Sequence, residues 1–89
     1  MKAIVSVLGA DHVGILAYVC AALAERNVNI LDVTQTILQD YFTMSMLVDV
    51  SECNIPFGEL AEQLHAGGAE QGLEIRIQRE EIFLSMHQI

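Results

Sequence analysis

Two short clusters carry the side chains whose types and spacing could do chemistry: Asp11-His12-Val13-Gly14, and Asn29-Ile30 with Asp32. The first lies between a strand-like run and a helix-like one. A helix N-terminus there would present unpaired N–H groups and a partial positive charge, which together bind carboxylate or phosphate. Gly14 has no Cβ, so a ligand or a neighbouring chain can approach the backbone closely. Asp11 works against a simple anion, because it puts its own negative charge at the turn. Its carboxylate suits an ammonium group and leaves the backbone amides for a carboxylate, the pattern of a zwitterion. The same residues also fit a helix capped by Asp11, with Gly14 serving close packing alone. Asn29 offers donors and acceptors and fits either a ligand contact or a polar strand entry. Asp32 fits a ligand contact or a solvated position at a strand irregularity.

Other chemistries find little support. His12, His65 and His87 match no structural zinc spacing, and His12 beside Asp11 supplies at most two ligands. No metal or cofactor is expected. Cys20 and Cys53 are far apart in sequence, without a CxxC pattern, and are expected as free thiols, Cys20 as a small core hydrophobe. There is no nucleophile elbow and no Walker loop, so an enzyme is not expected. The net charge of −8 makes nucleic acid and anionic membrane poor partners. The longest apolar stretch, Val13 to Ala24, is about a dozen residues, against roughly 20 for a membrane span. No signal-peptide pattern is visible, and a cytoplasmic location is expected.

The elements that must position the two clusters can be read from periodicity. Ala3–Leu8 is rich in β-branched residues and ends at Gly9, a strand apolar on both faces except at Ser6, as for a central strand covered twice. A helix follows over about Val13–Arg26, with Leu16, Val19, Cys20 and Leu23 as its core face; it is apolar nearly all round, so a second subunit is expected to cover the rest. Asn27 is expected to end it in a left-handed conformation. Val28–Gln39 is extended, and its apolar face switches near Ile30-Leu31, which predicts a bulge or bend. Gln39-Asp40-Tyr41 reads as a hairpin turn, and Tyr41–Val50 returns with Phe42, Met44, Met46, Val48 and Val50 on one face. Pro56 opens a second helix whose core face holds Phe57, Leu60, Ala61 and Leu64; Gly67-Gly68 weakens its end and Gly72 stops it. Leu73, Ile75 and Ile77 alternate in a last strand, and Ile82, Phe83, Met86 and Ile89 fall at helical spacing in the tail.

The order strand–helix–strand–strand–helix–strand predicts an α+β fold. It is a ferredoxin-like βαββαβ sandwich with a four-stranded antiparallel sheet, the first and third strands central, both helices on one face, and a short C-terminal helix. Residues 1–89 form a single domain with its core over about 3–80.

The stretches AIVSVLGADHVGILAYV, NVNILDVTQTIL and YFTMSMLVDV, with Asp11, Gly14 and Ile15 in a D-x-x-G-I step and Asn29, Ile30 and Asp32 at the start of the second strand, resemble the ACT domain, the small-molecule-sensing module of many amino-acid-metabolism enzymes. The tail REEIFLSMHQI resembles that of small standalone bacterial ACT proteins. The resemblance implies a regulatory module that binds an amino-acid-like effector at a subunit interface. Asp11, His12, Val13 and Gly14 of one chain would meet Asn29, Ile30 and Asp32 of the other. No enzyme domain accompanies the module, so its output is expected to reach a separate protein target. Composition agrees with a homodimer: 53% of the 89 residues are hydrophobic and 18% charged, and so small a domain has too little interior to hide that much apolar surface. The other reading of the same surface is a protein–protein interaction module without a small-molecule ligand.

Overall fold

The computed structural model describes residues 1–82. The elements are β1 (Lys2–Ala10), α1 (Ile15–Glu25), β2 (Asn29–Leu38), β3 (Tyr41–Asp49), α2 (Phe57–Glu70) and β4 (Leu73–Arg79). The strands form one antiparallel sheet in the order β2-β3-β1-β4, the expected ferredoxin-like arrangement with β1 and β3 in the centre. Glu80 to Ile82 begin a helical turn after β4; the predicted helical stripe through Phe83, Met86 and Ile89 lies outside the described residues.

The core is one layer deep. Ala3, Val5 and Val7 of β1, Phe42, Met44, Met46 and Val48 of β3, and Leu73, Ile75 and Ile77 of β4 pack with Ile15, Val19 and Leu23 of α1 and Leu60 and Leu64 of α2 in a single buried cluster. The period-two pattern of β3 and β4 is therefore met residue for residue. β1 departs from expectation. Its second face is not covered by the described residues: Ile4 and Ser6 are half-buried and Leu8 is exposed. Both helices lie on the other side, where they pack with Val5 and Val7.

The first helix also differs from its sequence reading. It begins at Ile15, not Val13, because Gly14 adopts φ 91° and acts as the N-cap. Its buried stripe is Ile15, Val19 and Leu23, a strict four-residue spacing, while Leu16 is exposed. Adjacent Ile15 and Leu16 are both apolar, so periodicity alone could not choose between them. Asn27 has the expected left-handed conformation, φ 59°, and lets the Val28 N–H donate to the Leu23 carbonyl at 3.0 Å. The predicted bulge is present: the β2–β3 register shifts between Ile30 and Asp32, leaving Leu31 as the extra residue. Gln39 and Asp40 make a two-residue turn, with Leu38 opposite Tyr41 and Gln39 at φ 57°.

Gly67 and Gly68 prove to be packing residues. A Cβ at Gly68 would lie 2.7 Å from Ile75 Cγ1 and 3.2 Å from the Leu73 carbonyl oxygen, so α2 rides directly on β4. A Cβ at Gly67 would lie 2.5 Å from the Tyr18 hydroxyl. Gly58, by contrast, has open space around it. Gly68→Val is expected to lower stability by about 2–3 kcal/mol through overpacking, whereas Gly58→Ala raises it by about 0.5 kcal/mol; urea unfolding of the two variants measures both signs.

At the far end of the sheet the Ser51 side chain and backbone N–H, the latter at 2.9 Å, hold the Asp49 carboxylate, with the Met1 ammonium 3.5 Å away. These partners, Ser51 first, lower the Asp49 pKa below its ordinary 3.8. A depressed carboxylate contributes stability above its unfolded pKa and loses it as pH falls through the folded value. The melting-temperature gap between wild type and Asp49→Asn is therefore expected at neutral pH and to close as the pH is taken well below 3.8.

Candidate functional site

The loop between β1 and α1 is built by two constraints. β1 ends opposite the β2–β3 hairpin, and the Asp11 N–H donates to the Asp40 carbonyl at 2.8 Å, which ties the loop to that hairpin. Gly14 then turns the chain into α1 with a positive φ and accepts from the Tyr18 N–H at 2.9 Å through its own carbonyl. Asp11, His12, Val13 and Gly14 are all exposed. Val13 is 100% exposed, a large apolar side chain standing free at the tip of the loop.

Asp11 is not the helix cap. No side chain caps α1; Asp11 sits three positions before Gly14, and its backbone is held by the hairpin. The N–H groups of the first turn therefore have no protein acceptor from a capping side chain, an arrangement that ordinarily costs about 1 kcal/mol relative to a capped helix. The first turn carries no acidic residue either. What remains is a positive helix end with open space at Gly14, flanked by the carboxylate of Asp11.

His12 Nδ1 lies 3.2 Å from the Val13 carbonyl oxygen, a contact within the loop. Among the described residues no group of three or more His, Cys, Asp and Glu side chains is placed to hold a metal. Cys20 and Cys53 are both free and half-buried. No helix among the described residues is long and apolar enough to cross a membrane.

The second cluster lies elsewhere. Asn29 is opposite Asp49, which pairs with Lys2, whereas the loop leaves β1 at Ala10 opposite Tyr41. The two clusters thus occupy opposite ends of the sheet, about 27 Å apart along the strands at 3.4 Å per residue. Within one chain they do not meet. Asn29 is exposed and Ile30 half-buried. Asp32 is exposed and its Oδ1 accepts from the Val33 N–H at 2.9 Å, closing the bulge locally.

The sequence also marks the edge strand Val28–Leu38 and the apolar helix Val13–Ala24 as the surfaces that motivate a dimer, and the structure leaves apolar side chains of both exposed. Leu31, Val33 and Ile37 of the edge strand are all exposed, together with Leu16 on α1. From Val33 to Gln39 the strand carries no charge and no proline, the devices that usually protect a sheet edge.

Residues 2–78 match the ACT domain family. The chain belongs to that family. The UPF0237 protein from Bifidobacterium longum is 49% identical over 88 residues, covering 99% of this chain and 98% of that protein. An ACT domain protein from Streptococcus pneumoniae has a structure that superposes with a TM-score of 0.83 at 41% identity, covering 93% of each chain. The regulatory subunit of aspartate kinase from Thermus thermophilus superposes with a TM-score of 0.66 at 28% identity, over 86% of this chain and 50% of that one. This ACT domain is accordingly a regulatory module and not a catalytic one by family.

The loop geometry gives a direct test. Because a Cβ at Gly14 meets nothing within 4 Å, replacing the glycine carries only the cost of its backbone conformation. Gly14→Ala is expected to lose about 1–2 kcal/mol in thermal unfolding while keeping the far-UV circular dichroism of wild type.

Proposed function

We propose that this ACT domain is a homodimeric regulatory module that binds a small amino-acid-like effector between its subunits. One observation carries the reading: an uncapped, positive helix end beside Asp11 lies at one end of the sheet, and the polar start of β2 lies at the other. A two-fold axis that pairs the β2 edges of two chains antiparallel would set Asn29 and Ile30 of one subunit alongside the hairpin end of its partner, where Asp11 to Gly14 stand. The α-carboxylate of the effector then takes the free N–H groups of the α1 first turn. Its ammonium takes the Asp11 carboxylate, and Asn29 of the partner subunit completes the polar contacts. Val13, Ile30 and Leu31 supply apolar walls. Asp32, committed to the bulge, holds the strand entry in shape.

The dimer draws on the same surface. Leu16 of α1 and Leu31, Val33 and Ile37 of the β2 edge strand are exposed, and that strand carries no charge from Val33 to Leu38. Effector binding stabilises the dimer by mass action. A signal to a separate target protein follows where the effector distinguishes two arrangements of the subunits.

Thermal unfolding in the presence of each of the twenty amino acids tests the reading. An effector at 100 times its Kd adds about 2.7 kcal/mol, and Gly14→Val should remove that gain while the variant still folds. Light scattering at micromolar concentration should give twice the chain mass. If no amino acid shifts the midpoint and the dimer persists, the exposed apolar surface instead marks a protein–protein interaction module. A stable monomer would overturn the interface.

A further inference from the structure

The face of the sheet turned away from the helices reads, in register, as three rows across β2, β3, β1 and β4: Asp32–Leu47–Ile4–Gln78, Thr34–Ser45–Ser6–Arg76 and Thr36–Thr43–Leu8–Glu74, with Leu38–Tyr41–Ala10 closing the hairpin end. Leu8 is 46% exposed, Tyr41 59% and Leu38 68%, three large apolar groups on one patch. Beside them the small Ser6, Thr43 and Ser45 floor a depression of about 430 Å³, with Glu74 and Arg76 at its rim. In a chain of net charge −8, these rows hold two carboxylates and one guanidinium, and Arg76 already pairs with Glu74 at 2.6 Å.

We propose that this open sheet face is a second self-association surface, packing face to face with the same face of another copy, distinct from the β2 edge. The two central columns are complementary under a two-fold axis parallel to the strands. That axis lays β3 of one copy over β1 of the other, so Tyr41 falls over Ala10, Thr43 over Leu8, Ser45 over Ser6 and Leu47 over Ile4. Large side chains meet smaller ones at two of these four pairings, Tyr41 over Ala10 and Leu8 over Thr43, the two serines meet at the centre, and Leu47 packs apolar on apolar against Ile4. The outer strands exchange as well: β4 lies over β2, which brings Arg76 diagonal to Asp32 of the other copy at both rims. Aligned sheets pack in this manner about 10 Å apart and roughly 30° off parallel. Four strands about 4.8 Å apart and nine residues long give a footprint of about 580 Å² per copy, or roughly 1,150 Å² in total, which just clears the area of about 1,000 Å² that a specific interface needs. The near-neutral face is also where two strongly acidic chains approach with least repulsion.

Ser45 is exposed, so Ser45→Glu leaves the monomer fold intact while placing two carboxylates at the centre of the stack. Sedimentation velocity at tens of micromolar is expected to show wild type at twice the mass of Ser45→Glu or more. The loss of mass holds whether or not the β2 edge also pairs: an open series of stacked edge dimers falls to the dimer if it does, because this axis turns the β2 edge of the stacked copy to the far side, and the dimer falls to the monomer if it does not. Arg76→Asp alone should weaken association, and Arg76→Asp combined with Asp32→Arg should restore it. Equal masses for wild type and Ser45→Glu would overturn the proposal. So would a Ser45→Cys thiol shielded from maleimide in a species of monomer mass, which would assign the cover to the chain's own residues. Charge reversal without rescue would reject the stated geometry.

Discussion

Two helices can lie on one face of a four-stranded sheet, and the consequences of that choice run through the whole molecule. α1 and α2 take the face that carries Val5, Val7, Met44, Met46, Ile75 and Ile77, and with it nearly all of the buried apolar surface. Gly68 lets α2 settle directly on β4 through Ile75. The β2 edge is left with little cover, because it lies at the end of the sheet opposite the strand on which α2 packs. The opposite face keeps Ile4, Leu8, Leu47 and Tyr41 with no described element over them. Among the described residues of a chain that is 53% hydrophobic, much of the exposed apolar surface thus lies in two places, each fixed by topology.

The same constraint decides what the loop can do. β1 is central and ends against the hairpin, so the chain must leave the sheet at Ala10 and climb to the helix layer within four residues. That climb uses up Asp11 to Gly14. The Asp11 N–H is anchored to Asp40, and the positive φ of Gly14 starts the helix without a capping side chain. A conventional cap would have satisfied the first-turn amides internally. Their freedom is a by-product of the shortest route from strand to helix, and it is what the proposed recognition of an effector at this turn draws on. By antiparallel topology, the polar entry to β2 is at the other end, so any site that uses both clusters must be shared between chains.

Most of the fold was legible in the sequence because its elements speak through period and punctuation. The alternation from Phe42 to Val50, the left-handed Asn27 and Gly72, and the change of apolar face at Ile30-Leu31 each have one structural solution. The loop composition and its resemblance to ACT domains were legible too. Three details were not. Ile15 and Leu16 are interchangeable to any periodicity argument, so the rotation of α1 had to come from the structure. Asp11 is a good cap by residue type, but its distance from the first helical turn depends on how Gly14 folds. The doubly apolar β1 suggested two covers, because composition reports that a surface is apolar and not what lies over it.

Charge then limits the chemistry further. The four cations, Lys2, Arg26, Arg76 and Arg79, stand away from the β1–α1 turn: Lys2 and Arg79 at the opposite end of the sheet, Arg26 at the C-terminal end of α1 bonded to Gln63 at 2.6 Å, and Arg76 paired with Glu74. The loop end carries Asp11 and Asp40 instead. A dianion there would meet two carboxylates with only backbone dipoles in its favour, and the attraction of a helix end amounts to about 0.3–1 kcal/mol at an exposed site. A zwitterion separates the two demands: its carboxylate faces the amides and its ammonium faces Asp11. An acidic side chain on the effector would return the repulsion, so the electrostatics of this end favour a neutral or cationic side chain beside Val13 and Leu31.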